Sequence, residues 1–332
     1  MTIEHLLNKV WCADALDFMR ELPDGCVQCV VTSPPYWGLR DYGIEGQLGM
    51  ERTPEEYVGM MVEVFREVRR VLRDDGVLWL NLGDSYASNW GMGAKRKSSW
   101  WSTASEELEG KGWGTVETAI PPNSFKSSGP GLKVKDLIGI PWRVAFALQA
   151  DGWYLRQDII WHKPNPMPES VKDRCTKAHE YVFLLSKSQK YFYDVDAIKE
   201  TAVGGCPGNK THKGKTAYEN GDTRMRTKVG LTEIGPVEIR NRRSVWTIPT
   251  APFPQAHFAT FPTKLVEPCI LAGSRMKDVC FDPFGGSGTV ACVASQLGRK
   301  WIICDLSEDY CAIARERIRI ETSQMNMFHI EP

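Results

Sequence analysis

The residues best suited to chemistry lie in a short stretch near the N-terminus, T-S-P-P-Y-W at positions 32–37. Consecutive prolines cannot continue a helix or donate ladder hydrogen bonds, so the chain must leave the preceding apolar strand in a stiff, extended turn. The turn presents the Ser33 hydroxyl, the Pro34 carbonyl and the Tyr36 ring, with Pro35 stiffening it. This set could hold an amide-like or aminopyrimidine edge and stack on its face. The same residues also fit a proline-stiffened loop with two core aromatics.

A second candidate stretch, V-C-F-D-P-F-G-G-S-G-T at positions 279–289, runs from an apolar strand into a glycine-rich turn that opens a helix. Glycines at such a turn permit positive φ and let the backbone approach a ligand closely. The next apolar strand ends at Asp305. An acidic residue about twenty positions beyond the glycines suits the ribose hydroxyls of a nucleoside cofactor. A dinucleotide enzyme fits this order as well, although the glycine spacing is not G-x-G-x-x-G.

The two motifs together resemble the S-adenosylmethionine-dependent amino-methyltransferases of DNA, the N4/N6 methyltransferase family. In that family the catalytic motif is [DNS]-P-P-[YFW] and D-P-F-G-G-S-G-T is the cofactor loop. Here the catalytic motif comes first, an order that resembles the circularly permuted β class. The resemblance implies a Rossmann-like α/β fold whose mostly parallel, seven-stranded sheet has helices on both faces and one antiparallel strand.

The resemblance also implies roles for particular residues. The catalytic set is Ser33, Pro34, Pro35 and Tyr36, in which the Ser33 oxygen and the Pro34 carbonyl accept hydrogen bonds from an exocyclic amine. Tyr36 would stack on a base flipped out of double-stranded DNA. S-adenosyl-L-methionine would contact Asp14, Asp282, Pro283, Phe284, Gly285, Gly286, Gly288 and Asp305. Asp14 fits a helix N-cap equally well.

Serine at the head of the catalytic motif favours cytosine N4 as the methylated atom. An adenine-N6 enzyme on the same scaffold is the alternative, because the motif grips the same N–C–N edge in both bases. A catalytically inactive DNA-binding relative is a third reading, against which both intact motifs argue. The enzyme would serve restriction–modification, with a cognate restriction endonuclease as a potential partner, or be an orphan or phage enzyme. Monomer and homodimer both stay open.

Composition is that of a soluble globular protein: 42% of the 332 residues are hydrophobic, 25% are charged, and the formal net charge is zero. No apolar run reaches membrane-spanning length and no secretory leader is visible. Most of the ten cysteines sit in apolar runs, as buried free thiols do in a reducing cytosol, so a cytoplasmic protein of bacterial or phage origin is expected. Cys26 and Cys29 lack a second pair at zinc-site spacing, so no metal is predicted.

Basic charge is concentrated in one region of the chain. Residues 201–243 hold nine Lys or Arg and four acids. The resemblance places target recognition in this region, and its candidate DNA contacts are Arg224, Arg226, Arg240, Arg242 and Arg243. A solvated loop is the alternative. Residues 85–135, with K-R-K at 95–97 and four tryptophans, could support DNA binding or form a surface loop.

These patterns divide the chain into a catalytic half (1–84), an inserted loop (85–135), a continuation of the catalytic half (136–200), a target-recognition region (201–245) and a cofactor-binding half (246–332). A capping box at Thr53–Glu56 starts a helix that Asp75 and Gly76 end, before a strand at 77–82. Residues 154–161, 180–185 and the short 191–193 suggest an antiparallel strand pair near the sheet edge.

Overall fold

The computed structural model describes residues 3–39, 43–44, 46–87, 132–202, 239–251 and 261–328. The strands are β1 (Lys9–Cys12), β2 (Val27–Thr32), β3 (Leu72–Leu82), β4 (Tyr154–His162), β5 (His179–Ser186), β6 (Glu200–Thr201), β7 (Ile239–Arg240), β8 (Val245–Thr247), β9 (Val279–Asp282) and β10 (Lys300–Asp305). The helices are α1 (Ala15–Glu21), α2 (Pro54–Val71), α3 (Ile140–Ala150), α4 (Thr263–Gly273), α5 (Thr289–Gln296) and α6 (Glu308–Phe328), with a 3-10 turn at Asp196–Ile198.

Eight of these strands form one sheet in the order β1-β10-β9-β2-β3-β5-β4-β8. Within it β5 alone runs antiparallel, against both β3 and β4. The predicted mostly parallel α/β sheet with one antiparallel strand is therefore confirmed. The sheet has one strand more than predicted, because β8 pairs in parallel with the outer edge of β4.

Strand alternation supplies the sheet with two cores. On β3, Leu78, Leu80 and Leu82 face a cluster with α1, α2 and α3, whereas Val77 and Trp79 face a second cluster with α4, α5 and α6. All six residues of β2 are buried. A strand covered on both faces must be apolar throughout, as parallel strands between two helical layers are. The uniform run in β2 follows from its central position.

Helix α2 begins as its capping box predicts. Thr53 Oγ1 accepts the Glu56 N–H at 3.1 Å, and Pro54 occupies the first turn. The predicted end of the helix is wrong, because it stops at Val71 and Asp75 and Gly76 lie inside β3. The pairing of β2 with β3 jumps from Val27–Leu72 to Cys29–Val77, so the extra β3 residues form an irregular bulge. A bulge of this kind resembles a helix-to-strand turn in sequence.

The predicted antiparallel pair near the sheet edge is β4 with β5. Residues 191–193 are not a strand. Their backbone packs against the β3 bulge instead, where the Phe192 N–H donates to the Asp75 carbonyl at 2.9 Å. A run of three aromatics therefore covers the sheet rather than joining it.

Two regions outside the described residues begin and end at paired backbone. Most of the predicted 85–135 insert lies outside the description, and Tyr86 and Leu137 form a β-bridge at its base. Residues 203–238, which include Arg224 and Arg226, likewise lie outside it, and β6 pairs with β7 on either side of them. The predicted domain divisions at 84/85 and 200/201 fall close to these closures, and they stay a prediction.

Candidate active site

The two sequence motifs meet at one edge of the sheet. Strands β2 and β9 are parallel neighbours, so their carboxyl ends lie side by side. The last residue of each strand contacts the other, because Thr32 Oγ1 donates to Asp282 Oδ1 at 2.7 Å in a buried position. A cavity of about 340 Å³ lies above this junction and is lined by residues of both motifs. Ligand sites in α/β sheets lie at such strand ends.

One side of the cavity is the glycine loop between β9 and α5. The Gly286 N–H donates to Asp305 Oδ2 at 2.8 Å, and the Gly285 N–H donates to the Cys304 carbonyl at 2.7 Å. Gly285 permits this close approach, because a Cβ there would lie 2.9 Å from Ile303 Cβ. The loop is thereby held against the end of β10.

Gly286 is the position that a side chain would change most. Its φ is +48°, in the left-handed region, and a Cβ there would have no neighbour closer than the Phe284 carbonyl at 4.0 Å. Since Gly286 lines the cavity, that open space belongs to the site. The cavity size is within the range of small-molecule sites. Bare backbone, the Asp305 carboxylate and the apolar side chains of Phe284 and Leu306 suit a nucleoside ligand.

The predicted cofactor residues separate into cavity walls and supports. Asp14, Pro283, Phe284, Gly285, Gly286 and Asp305 line the cavity. Asp14 is also the N-cap of α1, since its Oδ1 accepts the Leu16 and Asp17 N–H groups. Gly288 is the residue before α5 and packs close to Ala314 of α6. Burial raises the pKa of Asp305, whose two oxygens accept the Gly286 and Ser307 N–H groups.

Asp282 lies behind the cavity wall and is 1% exposed. Its Oδ1 accepts from Thr32 and from the Phe284 N–H at 3.0 Å, while Oδ2 has no partner among the described residues. Burial raises the pKa of this carboxyl to about 7. The structure therefore places Asp282 as the joint between the two loops, behind the residues that a ligand would contact.

The other side of the cavity is the S-P-P-Y turn, which distant parts of the chain hold in place. Tyr57 on α2 donates to the Pro35 carbonyl at 2.8 Å, and Trp37 Nε1 donates to the Glu51 carbonyl at 2.9 Å. The Tyr36 ring lies directly against Gly83, where a Cβ would come within 2.5 Å of the ring. Within the described residues, no donor reaches the Pro34 carbonyl, so it is available to an amine.

Glu180, at the start of β5, connects the turn to the far wall. Its Oε2 accepts from the Tyr36 hydroxyl at 2.8 Å and from Asn81 Nδ2 at 3.1 Å. Its Oε1 forms an ion pair with Lys163, whose ammonium also lies 4.3 Å from the centre of the Trp161 ring. Tyr36 in turn accepts from Ser33 Oγ at 3.2 Å. Burial and the Glu180 charge raise the pKa of the Tyr36 hydroxyl well above its usual range.

Sequence reasoning missed Glu180, Lys163 and Asn81 as site residues. The available signal was their position at strand ends: Asn81 is next to the last residue of β3, and Lys163 directly follows β4. Glu180 lies near the start of β5, and because β5 is antiparallel its start lies at the same edge. Arg317 was missed as well, and its guanidinium donates to the Ser287 and Thr289 hydroxyls of the glycine loop, both at 3.0 Å.

Three of the five predicted DNA contacts are in the described residues. Arg240 and Arg243 both pair with Glu200 Oε1, at 2.9 and 2.7 Å, and Arg242 lies 4.7 Å from the Trp246 ring centre. Only Arg243 among these ion-paired arginines is largely exposed, at 64% of its side chain. Arg224 and Arg226 lie outside the described residues. The assignment of all five to DNA stays a prediction.

Among the described residues, no helix has the length and apolar character required to span a membrane. The nine cysteines that the structure describes are free thiols. Cys29 is buried and packs in the same core as Cys269 and Cys280. Cys26 is half-buried, and its burial raises its thiol pKa to about 11.

The fold and the paired loops define an α/β methyltransferase. The chain superposes on the PvuII DNA methyltransferase (cytosine-N4-specific) with a TM-score of 0.57 at 19% identity, covering 95% of this chain and 91% of that one. It superposes with a TM-score of 0.56 at 21% identity on a DNA modification methylase of Thermus thermophilus, TTHA0409, titled as putative and solved with S-adenosyl-L-methionine, covering 94% and 93% of the two chains.

The sequence identifies the family within this fold. Residues 27–316 match the family model described as DNA methylase, the N6/N4 methyltransferases. The chain is 45% identical over 313 residues to the type II methyltransferase M.Cfr9I of Citrobacter freundii, covering 94% of this chain and 88% of the relative. It is 45% identical to M.SmaI of Serratia marcescens, covering 93% and 90%. The protein belongs to the N6/N4 DNA methylase family and is a DNA methyltransferase.

Proposed function

We propose that the protein transfers a methyl group from S-adenosyl-L-methionine to the exocyclic N4 amine of a cytosine flipped out of double-stranded DNA. The observation that carries this proposal is the shared cavity. Ser33, Pro34 and Tyr36 line it from one side, and the glycine loop with Asp305 lines it from the other. An amine held by the first set would face a ligand held by the second.

The bound cofactor supplies an electrophilic methyl group on a sulfonium. Gly285 and Gly286 leave space for it against the backbone, and Asp305 would accept hydrogen bonds from the ribose hydroxyls. Each carboxylate oxygen has a second lone pair beyond the one used by Gly286 or Ser307. Asp14 and Tyr310 complete this end of the cavity.

The amine of cytosine is a weak nucleophile because its lone pair is delocalised into the ring. Acceptors that draw its hydrogens out of the ring plane favour a pyramidal nitrogen directed at the methyl group. The Ser33 oxygen and the Pro34 carbonyl are those acceptors, so catalysis is mainly positioning and electrostatics. Flipping costs a few kcal/mol, and stacking on Tyr36 would return roughly 1–3 kcal/mol.

Serine at position 33 supports cytosine as the substrate base, on the resemblance of S-P-P-Y to the catalytic motif of cytosine-N4 enzymes. Adenine N6 is the second candidate, since the motif accepts the same N–C–N edge. DNA contact would use the exposed Arg243 and the basic residues 201–243. A role beside a cognate restriction endonuclease is part of this proposal, as the names of the type II relatives suggest.

Nucleoside mass spectrometry tests the assignment directly. Unmethylated genomic DNA is incubated with the protein and with cofactor carrying a deuterated methyl group, which separates new from existing methylation. We expect deuterated N4-methylcytosine and none in a reaction without the protein. Deuterated N6-methyladenine as the sole product would replace cytosine by adenine. No deuterated nucleoside at all, from DNA containing all short sites, would overturn the proposed reaction.

A further inference from the structure

An uninterrupted hydrogen-bond chain leaves the Ser33 hydroxyl and ends at a carboxylate. Ser33 Oγ donates to the Tyr36 hydroxyl at 3.2 Å, and Tyr36 donates to Glu180 Oε2 at 2.8 Å. All three residues line the cavity. The contact from Tyr36 to Glu180 joins residues 144 positions apart in the sequence, so the chain exists only because β2 and β5 meet at the same sheet edge.

The direction of these hydrogen bonds is determined at the Glu180 end. Lys163 Nζ forms an ion pair with one carboxylate oxygen, and Asn81 Nδ2 donates to the other. An ionised carboxylate accepts hydrogen bonds and donates none. The Tyr36 proton therefore points to Glu180, and the Tyr36 oxygen must accept from Ser33. The Ser33 proton is committed to Tyr36, which leaves the lone pairs of Ser33 Oγ for the cavity.

Asp84, the other carboxylate at this edge, is committed elsewhere. Its Oδ1 accepts the Ser85, Gly139 and Ile140 N–H groups at 2.9–3.1 Å, which caps the start of α3. Glu180 is the acid that the hydrogen bonds connect to Ser33. Its ion pair is only partly exposed, with side-chain values of 18% for Lys163 and 17% for Glu180, and a charge pair shielded from water acts more strongly on its neighbours.

We propose that Glu180 is a positioning residue that makes Ser33 Oγ an obligate acceptor for the target amine and that receives the amine proton through Tyr36. This role rests on the proposed function. As the amine nitrogen bonds to the methyl carbon, the carbon–sulfur bond breaks and its electron pair stays on sulfur. The nitrogen then releases one proton to Ser33 Oγ, the Ser33 proton passes to Tyr36, and the Tyr36 proton passes to Glu180. The neutral Glu180 acid returns its proton to water.

The arrangement makes a prediction that a purely structural role of Glu180 does not share. Glu180→Gln removes the charge and keeps the size, and Tyr36→Phe removes the relaying hydroxyl and keeps the ring. If both act through one chain, each should lower the single-turnover rate by roughly 100-fold, the lower end of general acid–base contributions. The double variant should be no slower than the slower single variant, because members of one unit are not additive.

Two binding measurements accompany the rates. Cofactor affinity by calorimetry and base flipping by 2-aminopurine fluorescence should both match the parent in the two single variants. The matched control is Glu169→Gln, which removes a carboxylate from the ion pair with Arg174 outside the cavity. It should keep the parental rate.

The results separate the two proposals. Losses that multiply in the double variant, or a parental rate in Tyr36→Phe, would overturn the relay while the parent still methylates cytosine. If Glu180→Gln does not fold, the Tyr36→Phe rate decides alone, since its ring keeps the packing against Gly83. A parent that methylates no DNA amine instead overturns the proposed function.

Discussion

The loop after β9 and the turn after β2 occupy neighbouring strand ends, yet they are stabilised in different ways. The glycine loop is held by contacts that are mostly near in sequence, such as Gly286 to Asp305, nineteen residues on. The S-P-P-Y turn is held by α2, by Gly83 and by Glu180. One site half is thus a local unit of strand, loop, helix and strand, whereas the other depends on the assembled sheet.

The difference explains what each half can tolerate. A local unit fails through its own backbone, because a side chain at a left-handed position or in the ligand space changes it directly. A turn supported at long range fails through its supports, and those lie on elements that look ordinary in sequence. The contact between Thr32 and Asp282 is where the two kinds of organisation meet.

The largest expected effect is in the local unit. Gly286→Val should lower cofactor affinity by more than about 100-fold, or ~2.8 kcal/mol, because the new side chain would enter the cavity at the closest backbone approach. Isothermal calorimetry of the variant measures this directly.

Gly139→Val is the matched control for that substitution. Gly139 also has a positive φ of +77°, and a Cβ at this position would have no atom within 4 Å, but it precedes α3 and is not a cavity residue. Both variants carry backbone strain of about 1–2 kcal/mol, so only the loss specific to Gly286 reports on the site. Equal cofactor affinities in the two variants would place the ligand elsewhere.

The second effect concerns the joint between the halves. Thr32→Val keeps the shape of the side chain and removes the donor to Asp282. Leaving a buried carboxyl with fewer partners should lower the free energy of unfolding by about 1–3 kcal/mol. Urea titration measures the change. Thr322→Val, which removes a hydroxyl bonded within α6, is the control, and equal losses in both variants would deny the joint any special role.

Asp282 adds a pH signature to this joint. Its folded pKa of about 7 is above the unfolded value of about 3.9. Between those values the folded state holds a proton that the unfolded state has released, so the Asp282 contribution to stability falls as pH rises and is fully lost above about pH 7. Asp282→Asn should therefore gain stability relative to the parent between about pH 5 and about pH 8. A constant difference across that range would contradict the assignment.

The smallest effect is expected at the DNA surface, outside both halves. Arg243→Gln should reduce the slope of log affinity against log salt by roughly one, as the loss of one phosphate contact does. Arg319→Gln is the control, since that side chain is 67% exposed and pairs with Glu316 on α6. Helix α6 packs on β1 and β10, at the opposite edge of the sheet from β8. Identical slopes for both variants would remove Arg243 from the interface.

What the sequence determined by itself is the chemistry carried by contiguous residues. The S-P-P-Y turn, the D-P-F-G-G-S-G-T loop, Asp305, the Thr53 capping box and the Asp14 cap are each readable within a few positions, because turn and cap energetics act over one or two helical turns. Buried strands such as β2 are likewise uniform in sequence, because they are covered on both faces.

Only the tertiary structure decided which distant residues join the site. The β3 bulge, the edge strand β8 and the convergence of Asn81, Lys163 and Glu180 on Tyr36 depend on register and strand order. It also turned Asp282 from an expected ligand contact into a buried joint with Thr32. Such contacts pair residues up to 250 positions apart, and no local energy term encodes them. They arise when the apolar faces of β2, β3, β5 and β9 are buried together in one sheet.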